Sequence, residues 1–350
     1  MAEDALMKLG CRVLCFLLAC PAARAEEPPE RSTPFNFNLY IENDTKKLGG
    51  PGSDDNYTNG VRLSFLYVEN KEPRWVRPFH WLHRYLRDRS YNFGIGLGQQ
   101  MYTPSDLTRS NPNPLDRPYA GWLYLSPLLN VVRERQADTF ELDVGMVGPP
   151  ALGFDAQSVV HRAISDTLPQ GWGHQIGTEM GVLFSFQRKY EVWQDLTSSG
   201  TRWFDVIPAF GWGVGNVYDG ADVSALVRLG YRVPNDFGPV RPSGSNGDSV
   251  VPTEGLVPRT EDDRRSWGLY GFAGAKQSLV AHNIFLDGST FQDGPRVRRV
   301  PLVEEFEAGF SLQLWEIALT WREVMRTPEF YDTFEKHTFA SVGVTYGAKF

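Results

Sequence analysis

Residues 340–350 read ASVGVTYGAKF, and this stretch decides the fold. Counting back from Phe350, Ala348, Tyr346, Val344, Val342 and Ala340 fall on one face. Lys349, Gly347, Thr345, Gly343 and Ser341 fall on the other. A period of two, with one apolar face and one small or polar face, describes a half-buried β-strand. A last strand closing on a terminal Phe also has the form of the final strand of outer-membrane barrels.

The rhythm recurs upstream. Phe35, Phe37, Leu39 and Ile41 alternate with Asn36, Asn38, Tyr40 and Glu42. Val61, Leu63, Phe65 and Tyr67 form one face of the next segment. Phe140, Leu142, Val144 and Met146 alternate with Glu141, Asp143 and Gly145. Further runs follow at Val223–Arg232 and Glu305–Leu314. Twelve strands are expected, over 35–44, 56–69, 89–104, 119–134, 137–149, 178–194, 204–217, 218–233, 267–282, 296–313, 314–327 and 336–350. An even number suits a closed, antiparallel, single-chain bacterial barrel.

Composition agrees with a transmembrane barrel. The chain carries 22 Phe, 14 Tyr, 10 Trp and 34 Gly in 350 residues, enough for aromatic girdles and a glycine-rich lumen face. Beyond the N-terminus no run of 18 apolar residues occurs, which excludes membrane-spanning helices but not barrel strands. Lys8 and Arg12 precede an apolar stretch, Val13 to Ala19, and Ala23-Arg24-Ala25 fits a signal-peptidase site before Glu26. Residues 1–25 are therefore read as a signal peptide and 26–350 as one barrel domain. Lipoprotein processing at Cys20 is the rival reading. Cys11, Cys15 and Cys20 all lie in this leader, so neither a disulfide framework nor a cysteine nucleophile is expected. The formal net charge of −7 makes nucleic acid an unsuitable partner.

Strand parity sorts the connections. With both termini periplasmic, 45–55, 105–118, 150–177, the turn near 217, 283–295 and 328–335 face the outside. Two of the periplasmic connections are long. Residues 70–88, with Trp75, Trp81 and Leu82, suit an amphipathic interfacial segment, and 234–266 suits a flexible loop. Of the outward connections, 45–55 is flanked by Asp44 and Thr58, which alternation places on the lumen side with Glu42 and Gly60. Such oxygen groups suit calcium, or they simply make turns. Arg117 and Arg109 suit anion binding, or an ion pair with Asp116 and a solvated loop cation. Residues 154–167 form the expected helix, capped by Asp155. Gln157 and His161 stand at i and i+4 on one face, where the imidazole is either a general base or an ordinary surface histidine. No G-x-S-x-G, H-E-x-x-H or phosphate-binding loop occurs in the mature chain.

From about Asn36 to Phe350 these segments resemble the LpxR-type lipid A deacylases of the outer membrane. The resemblance is carried by ENDTKK (42–47), DNYTNGVRLSF (55–65), YTPSDL (102–107), DRPYAGWLY (116–124), VGMVGPPALG (144–153), AQSVVH (156–161), PQGWGHQ (169–175), LVRLGYRVPNDFG (226–238), VAHNIFLDG (280–288) and TPEF (327–330). It implies a twelve-stranded barrel whose calcium-dependent site lies between barrel and outer leaflet. It also implies hydrolysis of a 3′-O-linked acyl ester of lipid A. Asn43, Thr58, Gln157 and His161 take the catalytic positions, Asp44 the metal-ligand position, and Arg109 and Arg117 the substrate-phosphate positions. Arg109 stands where the family has a lysine, and it cannot donate or accept the proton a lysine could. A family acidic residue after the histidine has no clean counterpart; Asp166 is nearest. The expected partner is lipopolysaccharide, and a monomer is expected. The competing readings are a non-catalytic barrel, a pore or structural protein, and a phospholipase using the same site.

Overall fold

The computed structural model describes residues 34–43, 56–68, 80–86, 89–133, 135–165, 167–239, 267–333 and 336–349. The leader, the cysteines, Asp44, Asp166 and Phe350 lie outside the described residues.

Twelve antiparallel strands close into a barrel: β1 (Pro34–Asn43), β2 (Asn56–Val68), β3 (Ser90–Thr103), β4 (Ala120–Arg133), β5 (Gln136–Val147), β6 (Glu179–Tyr190), β8 (Arg202–Gly215), β9 (Tyr218–Tyr231), β10 (Trp267–Asn283), β11 (Leu302–Leu314), β12 (Ile317–Arg326) and β13 (His337–Lys349). Each pairs with its sequence neighbours, β13 pairs with β1, and β6 pairs with β8. The last pairing bypasses β7 (Trp193–Leu196), a short strand that pairs only with β8. The strand expected over 178–194 therefore ends at Tyr190. The strand expected from 296 begins at Leu302, because 294–300 runs as loop with a single bridge at Arg299. Closure gives the wall's backbone groups partners within the ladder, as hydrocarbon requires.

The alternation has the membrane sense. In β1, Asn36, Asn38, Tyr40 and Glu42 are buried and Ile41 is exposed. Ile95, Leu97, Leu125, Val144, Phe210, Val227 and Phe310 likewise face outward. The lumen is packed rather than hollow. At the outer end Tyr102, Trp122 and Phe339 cluster with Phe285 of a short helix, α3 (Ile284–Asp287); the rings of Tyr102 and Phe285 stack at 4.3 Å. Ion pairs run down the lumen: Arg326–Glu305 at 2.5 Å near the outer end, then Arg62–Glu141 at 2.7 Å and Arg322–Glu307 at 2.9 Å further in.

The periplasmic end is plugged by the chain itself. Residues 233–239, the start of the connection expected to be a flexible loop, turn up into the barrel. Asp236 pairs with Arg228, which also holds Asp205 at 2.6 Å. Phe237 packs on Ala137 and Ile207, and its carbonyl accepts from Lys189 Nζ at 3.0 Å. Arg322 Nη2 donates to the carbonyl of Pro239. The other long periplasmic connection carries α1 (His80–Leu86). Leu82 and Leu86 pack on Tyr91 and Val131, outside the wall, as an interfacial segment should. With α1 and α3, the fold has more helix than the single outer-loop helix expected.

Candidate active site

β5 ends at Gly148, whose φ of 86° turns the chain into a Pro149–Ala151 3₁₀ turn. Leu152, at φ 59°, then starts α2 (Gly153–Ile164), and Ser165, also at φ 59°, ends it. Two non-glycine residues in the left-handed region bracket this helix, a conformation that costs energy and marks functional segments. Asp155 lies inside the first turn, where its charge suits the helix dipole. It makes no cap; the N-cap is Leu152, without a side-chain bond.

This helix buries its polar residues and exposes its apolar ones. Gln157, Ser158 and His161 are 2–3 % exposed, whereas Val159 is 62 % exposed and Phe154 44 %. Such inversion is stable only where the surroundings are oily and the buried polar groups find partners. The helix lies against the outside of the wall. A Cβ on Gly121, on the outward face of β4, would come within 3.1 Å of Ala151 and 3.6 Å of Gly153, so glycine permits the close approach. Outward-facing Met101 of β3 packs with Leu107, Tyr119, Trp172 and Ala156 of α2.

Strand register connects this helix to β1. Asn43 pairs with Asn59, Asn59 with Met101, and Met101 with Gly121, one row across four strands. Neighbouring strands stand ~4.8 Å apart, so Asn43 is roughly 10 Å along the wall from Met101 and roughly 14 Å from Gly121, the two residues under α2. Glu42 and Gly60 face the lumen, which puts Asn43 and Asn59 outside. The expected lumen placement of Glu42 and Gly60 holds. That of Thr58 loses its basis, because the ladder shifts between Tyr57 and Asn59 and the alternation breaks there. The side chain of Thr58 and all of Asp44 lie outside the described residues.

Two loops hold α2 in place. Gln170 N–H donates to Leu107 O, and Ile176 N–H to Tyr119 O, each at 2.9 Å. Trp172 Nε1 donates to Gln157 Oε1 at 2.8 Å, and its ring lies 5.0 Å from that of Tyr119. Burial raises the Tyr119 phenol to about 12, so it stays neutral. Gln157 Nε2 and Ser158 Oγ are buried with no hydrogen-bond partner among the described residues. An unmet buried group of this kind costs roughly 1–3 kcal/mol, recovered when water or a ligand arrives. His161 Nδ1 lies 2.5 Å from Thr167 O. A carbonyl only accepts, so Nδ1 carries a proton; when the ring is neutral its lone pair is then on Nε2, the form a general base needs.

The two arginines separate. Arg109 is exposed in the loop beside Trp172, with its backbone carbonyl close to Gly171. Arg117 is fully buried, donates to Glu329 at 2.5 Å and lies 5.1 Å from the Tyr102 ring. Arg117, expected at substrate phosphate, points into the barrel: Nη2 holds Glu329, Nε and Nη1 are buried with no hydrogen-bond partner among the described residues, and Asp116 accepts its backbone N–H at 2.7 Å. Sequence reasoning missed Trp172, Tyr119 and Ser158. Their roles depend on contacts between loops that no local periodicity records. Among the described residues no cluster of three His, Cys, Asp or Glu side chains could hold a metal.

A closed, lipid-facing barrel with a buried Gln-His pair clamped to its outer wall defines a class: integral outer-membrane proteins with a membrane-level site. Residues 12–348 match the family described as "Outer membrane protein LpxR", and the chain belongs to that family. Among solved structures, LpxR from Salmonella typhimurium matches with a TM-score of 0.68 at 20 % identity, covering 89 % of this chain and 99 % of that one. The β domain of the Bordetella autotransporter BrkA matches with a TM-score of 0.39 at 9 % identity, covering 90 % and 98 %. No curated protein matches the chain.

Proposed function

We propose that this protein is a lipid A deacylase of the outer membrane, hydrolysing an ester-linked, 3′-O acyl chain. The observation that carries the reading is the Gln157–His161 pair, buried on the lipid-facing side of the barrel and not in its lumen. His161 Nε2 takes a proton from water as that water attacks the ester carbonyl. Its Nδ1–H bond to Thr167 O steadies the ring as positive charge develops. Gln157, oriented by Trp172, points its unmet Nε2–H donor at water or substrate, and Asn43 positions from the β1 rim. Exposed Arg109 engages a lipid A phosphate.

Calcium fits the donor chemistry. The amide of Asn43, the carboxylate of Asp44 and the hydroxyl of Thr58 are hard oxygen donors of the kind calcium takes. When bound, calcium supplies positive charge for the oxyanion of the ester-cleavage step. Among the described residues the packed lumen argues against a pore.

Purified protein mixed with lipid A and followed by mass spectrometry tests the reading. Loss of one acyloxyacyl chain is expected with calcium, and none with a chelator or with His161→Ala. Release from glycerophospholipid but not lipid A would replace the reading with a phospholipase. No release from either, under any condition, would leave a non-catalytic barrel.

A further inference from the structure

A cleft of about 510 Å³ lies between α2 and residues 168–175. That volume falls within the range of small-ligand sites, roughly 300–1,000 Å³. Leu152, Phe154, Leu168 and Trp172 give it apolar walls, and Ser158 sits in the wall with its buried, unpartnered hydroxyl. Among the described residues no Lys or Arg lines the cleft, and the charged residue that does, Asp155, repels a phosphate or carboxylate. The occupant is therefore uncharged where it enters.

Its surroundings say what that occupant is. The cleft lies beside α2, which packs on the outward side of β3 and β4, where Ile95, Leu97 and Leu125 are exposed. Phe154, Val159 and Val160 of α2 are exposed as well. A chain lying against this wall in the outer leaflet meets apolar surface around the cleft.

We infer that this cleft seats one hydrocarbon chain of an outer-leaflet lipid, with the Ser158 hydroxyl donating to an ester or hydroxyl oxygen at the polar end of that chain. Ser158 follows Gln157 and precedes His161 by less than one helical turn, so the seated chain is delivered beside the base. The cleft then sets which acyl lengths are taken. This selectivity rests on the deacylase reading; occupancy of the cleft by a chain does not.

Gly173 supplies the test. A Cβ there would meet nothing within 4 Å, so Gly173→Phe narrows the cleft without a clash, and Gly173→Ala narrows it less. In the first arm, His161→Ala protein in detergent micelles is photolabelled with a neutral C12 monoacylglycerol bearing a terminal diazirine. Label is expected on peptides from 149–158 and 168–175, falling about tenfold with Gly173→Phe and less with Gly173→Ala. Label spread evenly along the outward strands and unmoved by Gly173→Phe would overturn the proposal. In the second arm, otherwise wild-type Gly173→Phe is given lipid A species with long and short acyl chains. Turnover of long chains is expected to fall about tenfold more than that of short ones, and an equal loss overturns the selectivity. If labelling behaves as expected while no lipid A is cleaved by the parent protein, the chain site stands and the deacylase reading falls.

Discussion

At the scale of single residues, burial separates groups that look alike in sequence. Arg109 and Arg117 are both loop arginines near a strand end, yet one is exposed and the other is locked to Glu329 inside the barrel. Burial works against ionising Glu329, but Arg117 and Arg326 outweigh it and hold the carboxyl below its ordinary range. Arg117→Ala is expected to destabilise the fold, by less than the about 3–5 kcal/mol of a fully stranded charge because Arg326 stays 3.4 Å from Glu329, seen as a lower urea midpoint for refolding into vesicles. Arg109→Ala should leave the midpoint unchanged and raise KM for lipid A. A higher KM from Arg117→Ala at unchanged stability would return that residue to the substrate. The Gln157–His161 pairing was legible because i and i+4 share a helical face. The direction that face points was not, since helix periodicity does not distinguish a helix lying on a lumen from one lying on an outer wall.

At the scale of elements, α2 is held by loop contacts more than by its own sequence. It has no side-chain cap, it is bracketed by two left-handed residues, and Trp172 reaches it from 15 residues downstream. Trp172→Phe keeps the ring and removes one hydrogen bond, worth about 1 kcal/mol. A roughly fivefold loss of kcat is expected with little change in KM, since Gln157 loses its orientation and the apolar wall remains. The outer cap α3 has its own lock. Burial opposes ionisation of Asp287, but hydrogen bonds from His282, the Asn283 amide and Arg299 outweigh it, and the carboxyl is held below its ordinary value. A depressed folded-state pKa gives stability above the unfolded value, ~3.9, that is lost as pH falls through the folded one. Hydrogen exchange in Ile284–Gly288 is therefore expected to stay slow at neutral pH and to quicken below about pH 4 relative to the neighbouring β10 core. The strands were legible because alternation is a local property. The entry of 233–239 into the lumen was not, because a Pro- and Gly-rich stretch gives no sign that Asp236 will find Arg228.

At the scale of the whole molecule, the barrel is a filled post. Aromatic packing closes its outer end, ion pairs occupy its middle, and its own chain stops its inner end. In planar bilayers the protein is expected to show no steady conductance. Asp236→Ala, which frees the inner stopper from Arg228, should give intermittent openings if the seal is the one described. Large steady currents from the wild type would contradict it. The twelve strands and their direction could be read from the sequence. The solidity of the interior could not, because polar lumen residues look the same whether they face water or one another.

On the deacylase reading the reacting groups sit on the outside of this post, and the protein meets its substrate in two dimensions. Encounter there depends on mole fraction within the leaflet and on lateral diffusion, not on bulk molarity. Diluting the substrate with inert detergent at constant total substrate should slow the reaction, and adding more mixed micelles of fixed composition beyond saturation should not.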